Sequence, residues 1–245
     1  YFTSIVNFTT ACLPVTTFPI IESFDNSTSI PPCWSQSYVS GSGSLSVVSS
    51  ASHPTSTPYN GTGMIYFNSY NFSSGVQTRL VSPLINSSSV SGLNVSFRWF
   101  TSTDYNTYTN EGVMVQYSLD GTNWTDAGSL IQRLASTNAW TSQTVSLPAA
   151  VDNQSVLYVG FLFVSQCGNN CLLDSIYIGT SNPIDTCDNP INLTIPSATL
   201  ACDSAIAIWA AGGTETMWTF EYKRNADPDF TSVVVTTPTF TMTGL

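Results

Sequence analysis

Short runs in which apolar and polar residues alternate dominate the chain, and each run ends in turn-forming residues. Such runs occupy residues 93–100, 112–118 and 157–164, with Gly, Pro, Asn, Asp or Ser clusters between them. A period of two is typical of strands that bury one face. The weakly helical stretch 129–135 is too short to change the class. Many short antiparallel strands at this spacing predict an all-β protein built around a jelly-roll sandwich.

The charge and the apolar runs exclude two classes of protein. The 245 residues include 15 acids and 5 bases, for a net charge of -10 at pH 7. A nucleic-acid binder needs clustered Lys and Arg to neutralise phosphates, so we expect no nucleic-acid partner. The apolar runs are too short to cross a bilayer, so we expect no membrane insertion.

The cysteine count indicates an oxidising compartment. Six cysteines, an even number, predict disulfides and an extracellular location. The simplest pairing joins neighbours along the chain: Cys12 with Cys33, Cys167 with Cys171, and Cys187 with Cys202. A zinc site is the alternative, but the spacing lacks a second close pair and the chain has a single histidine, His53.

An ordered set of motifs resembles a known module. The set comprises Phe18-Pro-Ile-Ile-Glu-Ser-Phe-Asp25, Pro31-Pro-Cys-Trp34, Met64-Ile-Tyr-Phe-Asn68, Ser118-Leu-Asp-Gly121 and Leu173-Asp-Ser-Ile-Tyr-Ile178. Together these motifs resemble a MAM-like jelly roll of the cleaved-adhesin and choice-of-anchor J type, as in secreted surface adhesins of Bacteroidota. The stretch 187–245 more loosely resembles the first part of a fibronectin type III module.

The resemblance divides the chain into three parts. We predict that residues 1–11 are the last strand of a preceding fibronectin type III-like module, 12–180 a MAM-like jelly-roll domain, and 181–245 a partial fibronectin type III-like domain. A partial sandwich leaves strand edges open, so we expect a longer chain of alternating modules to supply the missing strands. The alternative is that the N-terminal strand of a neighbouring copy completes the sandwich.

Three carboxylates predict a structural calcium site. Glu22 and Asp25 lie on the first predicted strand, and Asp174 opens the last strand of the jelly roll. First and last strands are often neighbours in a sandwich, and Ca2+ binds carboxylate and carbonyl oxygens in flexible geometry. The resemblance implies calcium at this edge, although Ser175 stands where related modules tend to have a second Asp. The alternative is that Asp174 caps a turn while Glu22 and Asp25 face solvent.

Aromatic residues in polar loops are the candidate ligand-binding residues. Tyr70, Tyr105, Tyr108 and Trp140 have such surroundings, and an exposed ring can stack on a sugar. Ordinary packing is the alternative for all four. Trp124 follows an Asp-Gly hairpin turn, so we expect it to fold back onto the sheet as a core residue.

The sequence contains no recognisable catalytic constellation. His53 is alone in a Ser-Ala-Ser-His-Pro loop, and the four glutamates do not form the Glu-x-Asp-x-x-Glu strand of jelly-roll glycosidases. We therefore predict a non-catalytic adhesion or spacer segment of a large secreted, modular cell-surface protein. Its expected partners are a glycan or surface-protein ligand and the neighbouring modules. The alternatives are a carbohydrate-binding accessory module of a secreted hydrolase and a structural repeat of an extracellular filament or stalk.

Overall fold

The protein consists of strands, turns and loops throughout the ranges that the structure describes. The computed structural model describes residues 12–25, 28–180, 190–212, 216–225 and 227–244. Helical structure in these ranges is limited to two 3-10 turns, Ala149–Val151 and Ser197–Thr199. Accordingly, no helix there has the length or apolar character to cross a membrane. The all-β prediction is confirmed, whereas the stretch 129–135 is not helical.

The chain divides into two compact units, residues 1–184 and 185–245. The described part of the first unit contains twelve strands. They are β1 (Ile20–Glu22), β2 (Ser35–Ser40), β3 (Leu45–Val48), β4 (Met64–Phe67), β5 (Gln77–Val81), β6 (Asn94–Thr101), β7 (Gly112–Ser118), β8 (Thr125–Asp126), β9 (Ile131–Gln132), β10 (Ala139–Ser146), β11 (Tyr158–Val164) and β12 (Cys171–Gly179).

These strands form two antiparallel sheets of six strands each. The first sheet has the order β10-β6-β12-β4-β3, with β1 also paired to β12. The second sheet has the order β2-β5-β11-β7-β8, with β9 also paired to β7. Neighbours in a sheet are mostly distant in sequence, so each loop end of the sandwich brings together residues from remote parts of the chain.

The core lies between the two sheets and follows the alternation in the sequence. Phe97 on β6 meets Phe161 on β11 edge to face, with ring centroids 5.4 Å apart. Trp99 and Phe163, the next inward residues on the same strands, are 6.1 Å apart. All four side chains are fully buried. Burial of such large rings supplies much of the free energy that stabilises the sandwich.

β12 changes its partner half-way along one edge. Residues 171–173 pair with β4, residues 176–178 pair with β1, and the register to β6 shifts between Asp174 and Tyr177. Ser175, inside this irregularity, has a φ of 50°. The switch leaves a gap in the edge at Asp174, where a loop can approach the strand.

The second unit is a smaller set of five strands within the described residues. They are β13 (Ile191–Thr194), β14 (Ser204–Ala210), β15 (Trp218–Tyr222), β16 (Thr231–Val235) and β17 (Thr239–Thr243). One sheet has the order β13-β14-β17, and β15 pairs with β16. Its core is small: Trp209 stacks on Phe220 at 5.4 Å, beside buried Ala205, Ala207 and Met242. The fibronectin type III assignment and the proposed role of residues 1–11, which lie outside the described residues, stay predictions.

Candidate ligand-binding site

Asp174 lies at the gap in the edge of β12 and binds a loop there through hydrogen bonds. Its Oδ2 accepts hydrogen bonds from the backbone N–H of Tyr59 at 2.8 Å and of Asn60 at 3.3 Å, and its Oδ1 accepts from the N–H of Ser175 at 2.6 Å. The side chain is fully buried. Burial raises the pKa of Asp174 to about 6, against the lowering effect of these amide hydrogen bonds.

Asp25 holds the same loop a few residues further on. Its Oδ1 accepts from the N–H of Thr62 at 2.5 Å and of Gly63 at 3.3 Å. The hydrogen bond from Thr62 lowers the pKa of Asp25. Glu22 is engaged within its own turn, where Oε1 accepts from the N–H of Phe24 at 2.8 Å.

Two of the three predicted calcium ligands, Asp25 and Asp174, therefore contact the same loop, whereas Glu22 contacts its own turn. No group of three or more His, Cys, Asp or Glu side chains among the described residues is arranged to bind a metal ion. Asp25 and Asp174 instead accept hydrogen bonds from backbone N–H groups of residues 59–63. The calcium site therefore stays a prediction.

Of the two predicted cysteine pairs that the structure describes, one forms a disulfide. Cys12 and Cys33 form a disulfide, as predicted. Cys167 and Cys171 are both free, so the predicted bond between them is wrong. Cys171 is the first residue of β12 and points into the core with Leu173, while Cys167 is exposed. Cys202 is also exposed, and its expected partner Cys187 lies outside the described residues.

The segment between the two free cysteines is a hydrogen-bonding hub instead of a disulfide turn. The N–H groups of Gly168 and Asn169 donate to the carboxylate of Glu111, at 2.9 and 2.8 Å. The next residue, Asn170, accepts from the N–H of Tyr70 at 3.0 Å. Its own N–H donates to the carbonyl of His53 at 2.7 Å. This segment thus joins two surface loops to a buried carboxylate.

Glu111 is the centre of the hub. Its side chain and that of Arg133 are both fully buried and form an ion pair, with Nε of Arg133 2.7 Å from Oε1. Ser69 donates its hydroxyl to Oε2, and the N–H of Gln166 donates to the same oxygen at 3.1 Å. A buried charge needs such a complete set of partners, because an unpaired one would carry a large desolvation penalty.

Arg133 extends the network to a third surface loop. Its Nη1 donates to the carbonyl of Asp104 at 2.9 Å, and its Nη2 donates to the carbonyl of Tyr105 at 3.4 Å. Tyr105 has a φ of 54°, a backbone conformation that tertiary contacts must hold in place. The ion pair therefore fixes the loop that carries Tyr105.

His53, Tyr70 and Tyr105, which we call the aromatic platform, lie together above this network. The rings of His53 and Tyr70 are stacked, with centroids 4.2 Å apart and an interplanar angle of 16°. Tyr105 stands edge-on to Tyr70 at 5.7 Å and 69°. Tyr105 remains 39% exposed. Desolvation and a hydrogen bond with the Tyr70 side chain raise the pKa of Tyr105.

Two of the four predicted loop aromatics belong to the platform and two have other surroundings. Tyr108 is half-buried beside the hub, and its N–H donates to the carbonyl of Tyr105 at 3.1 Å. Trp140 lies on β10, and its contacts are with residues outside the aromatic platform. It packs edge-on against Phe100 at 5.3 Å and donates Nε1–H to the carbonyl of Thr57 at 3.1 Å. Trp140 therefore anchors a loop over the first sheet.

The residues that support the platform carry little signal in the sequence. Glu111 and Arg133 are 22 positions apart, and neither stands in a recognisable motif. The available hint is that both are charged residues beside strands in a chain with few charges. Asn170 lies inside the Cys-Gly-Asn-Asn-Cys segment, where the cysteine spacing suggests a different role.

Comparisons with known proteins concern the sandwich. No family model matches the chain, and no curated protein matches its sequence. A cleaved adhesin domain of Lys-gingipain from Porphyromonas gingivalis is 21% identical, with a TM-score of 0.47, over 68% of this chain and all of that domain. The CBM22-1 xylan-binding domain from Paenibacillus barcinonensis is 12% identical, with a TM-score of 0.42, over 65% of this chain and 92% of that chain. A family 11 carbohydrate-binding module from Clostridium thermocellum is also 12% identical with a TM-score of 0.42, over 66% and 95%. Similarities at this level do not identify a ligand.

Proposed function

We propose that the first unit is a non-catalytic adhesion module of an extracellular surface protein and that it binds a glycan on the aromatic platform. One observation carries the proposal: three aromatic rings from three loops are held together at the surface by a fully buried hydrogen-bonded network. An ordinary exposed aromatic residue has no such support.

The platform offers the chemistry that sugars use. Pyranose rings present apolar C–H faces to aromatic rings and hydroxyl groups to polar neighbours. Tyr105 and His53 are exposed, and the loop residues around them, 102–107, are rich in hydroxyl and amide side chains. Because the loops are fixed through Arg133 and Asn170, a ligand would order few groups when it binds. This pre-organisation supports a binding role.

The same geometry supports a role without catalysis. Glu111 is the carboxylate at the centre of the site, but it is fully buried and paired with Arg133. It cannot reach a sugar to act as an acid, base or nucleophile, as glycoside hydrolysis requires. His53 is engaged in stacking with Tyr70. The side chains of Glu111 and His53, which could otherwise take part in catalysis, are thus engaged in structural contacts.

A glycan array with matched variants tests the proposal. Tyr105→Ala removes an exposed platform ring, while Tyr59→Ala removes a tyrosine of similar exposure, 42% against 39%, that lies outside the platform. Stacking on one ring typically contributes about 0.5–1.5 kcal/mol, so we expect Tyr105→Ala to weaken binding about two- to tenfold. Tyr59→Ala should bind as the unmodified protein does. Absence of glycan binding, or equal binding by both variants, would contradict the proposal.

A further inference from the structure

A groove crosses the outer face of the second sheet, on the side that does not pack against the core. Its cavity has a volume of about 830 Å³. Tyr38 from β2 and Tyr158 from β11 line it, together with the hairpin residues Asp120 and Trp124. A volume in this range can hold a ligand larger than a single sugar unit.

Trp124 forms the floor of the groove. The sequence predicts that Trp124 folds back onto the sheet, which is correct, but predicts a core position, which is wrong. The indole lies on the outer face, with the guanidinium carbon of Arg79 4.3 Å from the ring centroid. A Cβ added to Gly160 would lie 2.6 Å from Cζ3 of Trp124 and 2.7 Å from Cδ of Arg79. The absence of a side chain at Gly160 therefore makes room for this flat arrangement.

A polar network fixes Arg79 beneath the indole. Nε of Arg79 donates to Oε1 of Gln116 at 2.7 Å, and Nη1 donates to the hydroxyl of Ser37 at 3.4 Å. Gln116 in turn donates its Nε2–H to Oδ1 of Asp126 at 2.7 Å. Arg79 is only 8% exposed. One face of Trp124 is therefore held against a hydrogen-bonded guanidinium, and the other faces the groove.

The charges around the groove decide which ligand fits. Arg79 is the basic residue among those that line it, and its guanidinium is covered by Trp124 and occupied by neighbours. The accessible charge is Asp120, whose pKa the N–H of Asn123 holds well below its usual range. An anionic ligand would meet the negative charge of Asp120 here, while the indole of Trp124 lies between the ligand and the guanidinium of Arg79.

We infer that this groove binds a short neutral oligosaccharide, with one sugar ring stacked on the open face of Trp124 and another reaching Tyr158. The aromatic rings match the apolar faces of pyranoses, and the serine hydroxyls of β2 match sugar hydroxyls. This site is separate from the aromatic platform and does not depend on it.

Isothermal titration calorimetry with four defined tetrasaccharides tests the inference. Cellotetraose, mannotetraose and chitotetraose are neutral probes, and tetragalacturonate is the anionic counter-probe. We expect the full chain to bind at least one neutral probe and to bind tetragalacturonate at least tenfold more weakly. Loss of the stacked ring in Trp124→Ala should weaken binding about two- to tenfold. Tyr158→Ala provides a second variant of the same groove, and its half-buried ring lies on the outer face of β11.

The control and the opposing outcomes separate this site from the platform. Tyr59→Ala lies outside the groove and should leave the affinity unchanged. The inference is overturned if no neutral probe binds, if tetragalacturonate binds as tightly, or if neither groove variant weakens binding. Binding that is lost in Trp124→Ala but kept in Tyr105→Ala would support the groove while contradicting the platform as the site for that probe.

Discussion

Replacing Glu111 with alanine tests the buried support of the aromatic platform. The substitution removes the charge partner of Arg133, which is fully buried, and the acceptor of the Gln166, Gly168 and Asn169 amides. Deleting one partner of a buried ion pair typically costs about 3–5 kcal/mol, because an uncompensated charge remains. The three amides also lose their acceptor. We therefore expect the free energy of unfolding of the first unit to fall by about 4 kcal/mol.

Hydrogen exchange of the backbone amides of β6 and β11 measures this loss in the first unit alone. Asp104→Ala is the matched control, since it removes an exposed carboxylate from the loop that Arg133 holds. It should change stability by no more than about 0.5 kcal/mol. The double variant Glu111→Ala with Arg133→Met carries no unpaired charge, so its loss should be smaller than the sum of the two single losses. A loss below about 1 kcal/mol for Glu111→Ala would refute the reasoning.

Four further outcomes are expected. Gly168→Ala places a Cβ 2.7 Å from Oε1 of Glu111, and thermal unfolding should show a loss of about 1–3 kcal/mol; Gly128→Ala, with its nearest contact at 3.4 Å, is the control. The pKa of Asp174 is about 6 in the folded chain, against an ordinary 3.8. The folded state therefore binds this proton more tightly, and stability should fall by up to about 3 kcal/mol as pH rises from about 4 to 6. Asp174→Asn should remove that slope, and an unchanged slope would assign it to other groups. Cys12→Ser opens a disulfide that spans 21 positions and should cost about 3 kcal/mol in urea unfolding; an unchanged midpoint would contradict this. Millimolar calcium should leave the melting temperature within about 1 °C of its value in EDTA, while a clear rise would support the calcium prediction instead.

The sequence predicts what depends on local alternation and misses what depends on strand order. The inward positions of β6 and β11 follow from a period of two, and Phe97, Trp99, Phe161 and Phe163 are buried as that period requires. The same rule explains why the predicted disulfide between Cys167 and Cys171 is wrong. This residue shares the inward face of β12 with Leu173, so its sulfur points into the core, away from a turn.

Long-range convergence accounts for the residues that could not be predicted. Glu111 meets Arg133, Gly168 and Ser69 because the loops beside β4, β7 and β12 share one end of the sandwich. The spacing of these residues along the chain does not predict that they contact one another. Trp124 shows the same limit, since a hairpin motif predicts that the ring returns to the sheet but not which face it covers.

The most direct test of the central claim is to map a bound glycan onto the protein by NMR. The full chain is titrated with the array glycan that binds most tightly, and the backbone amide shifts are followed. A ligand on the aromatic platform predicts that the largest shifts occur at His53, Tyr70, Tyr105 and their loop neighbours, and that Tyr105→Ala moves the titration midpoint to about two- to tenfold higher glycan concentration. Shifts that avoid these three residues, or a titration midpoint that is unchanged in Tyr105→Ala, would contradict the claim.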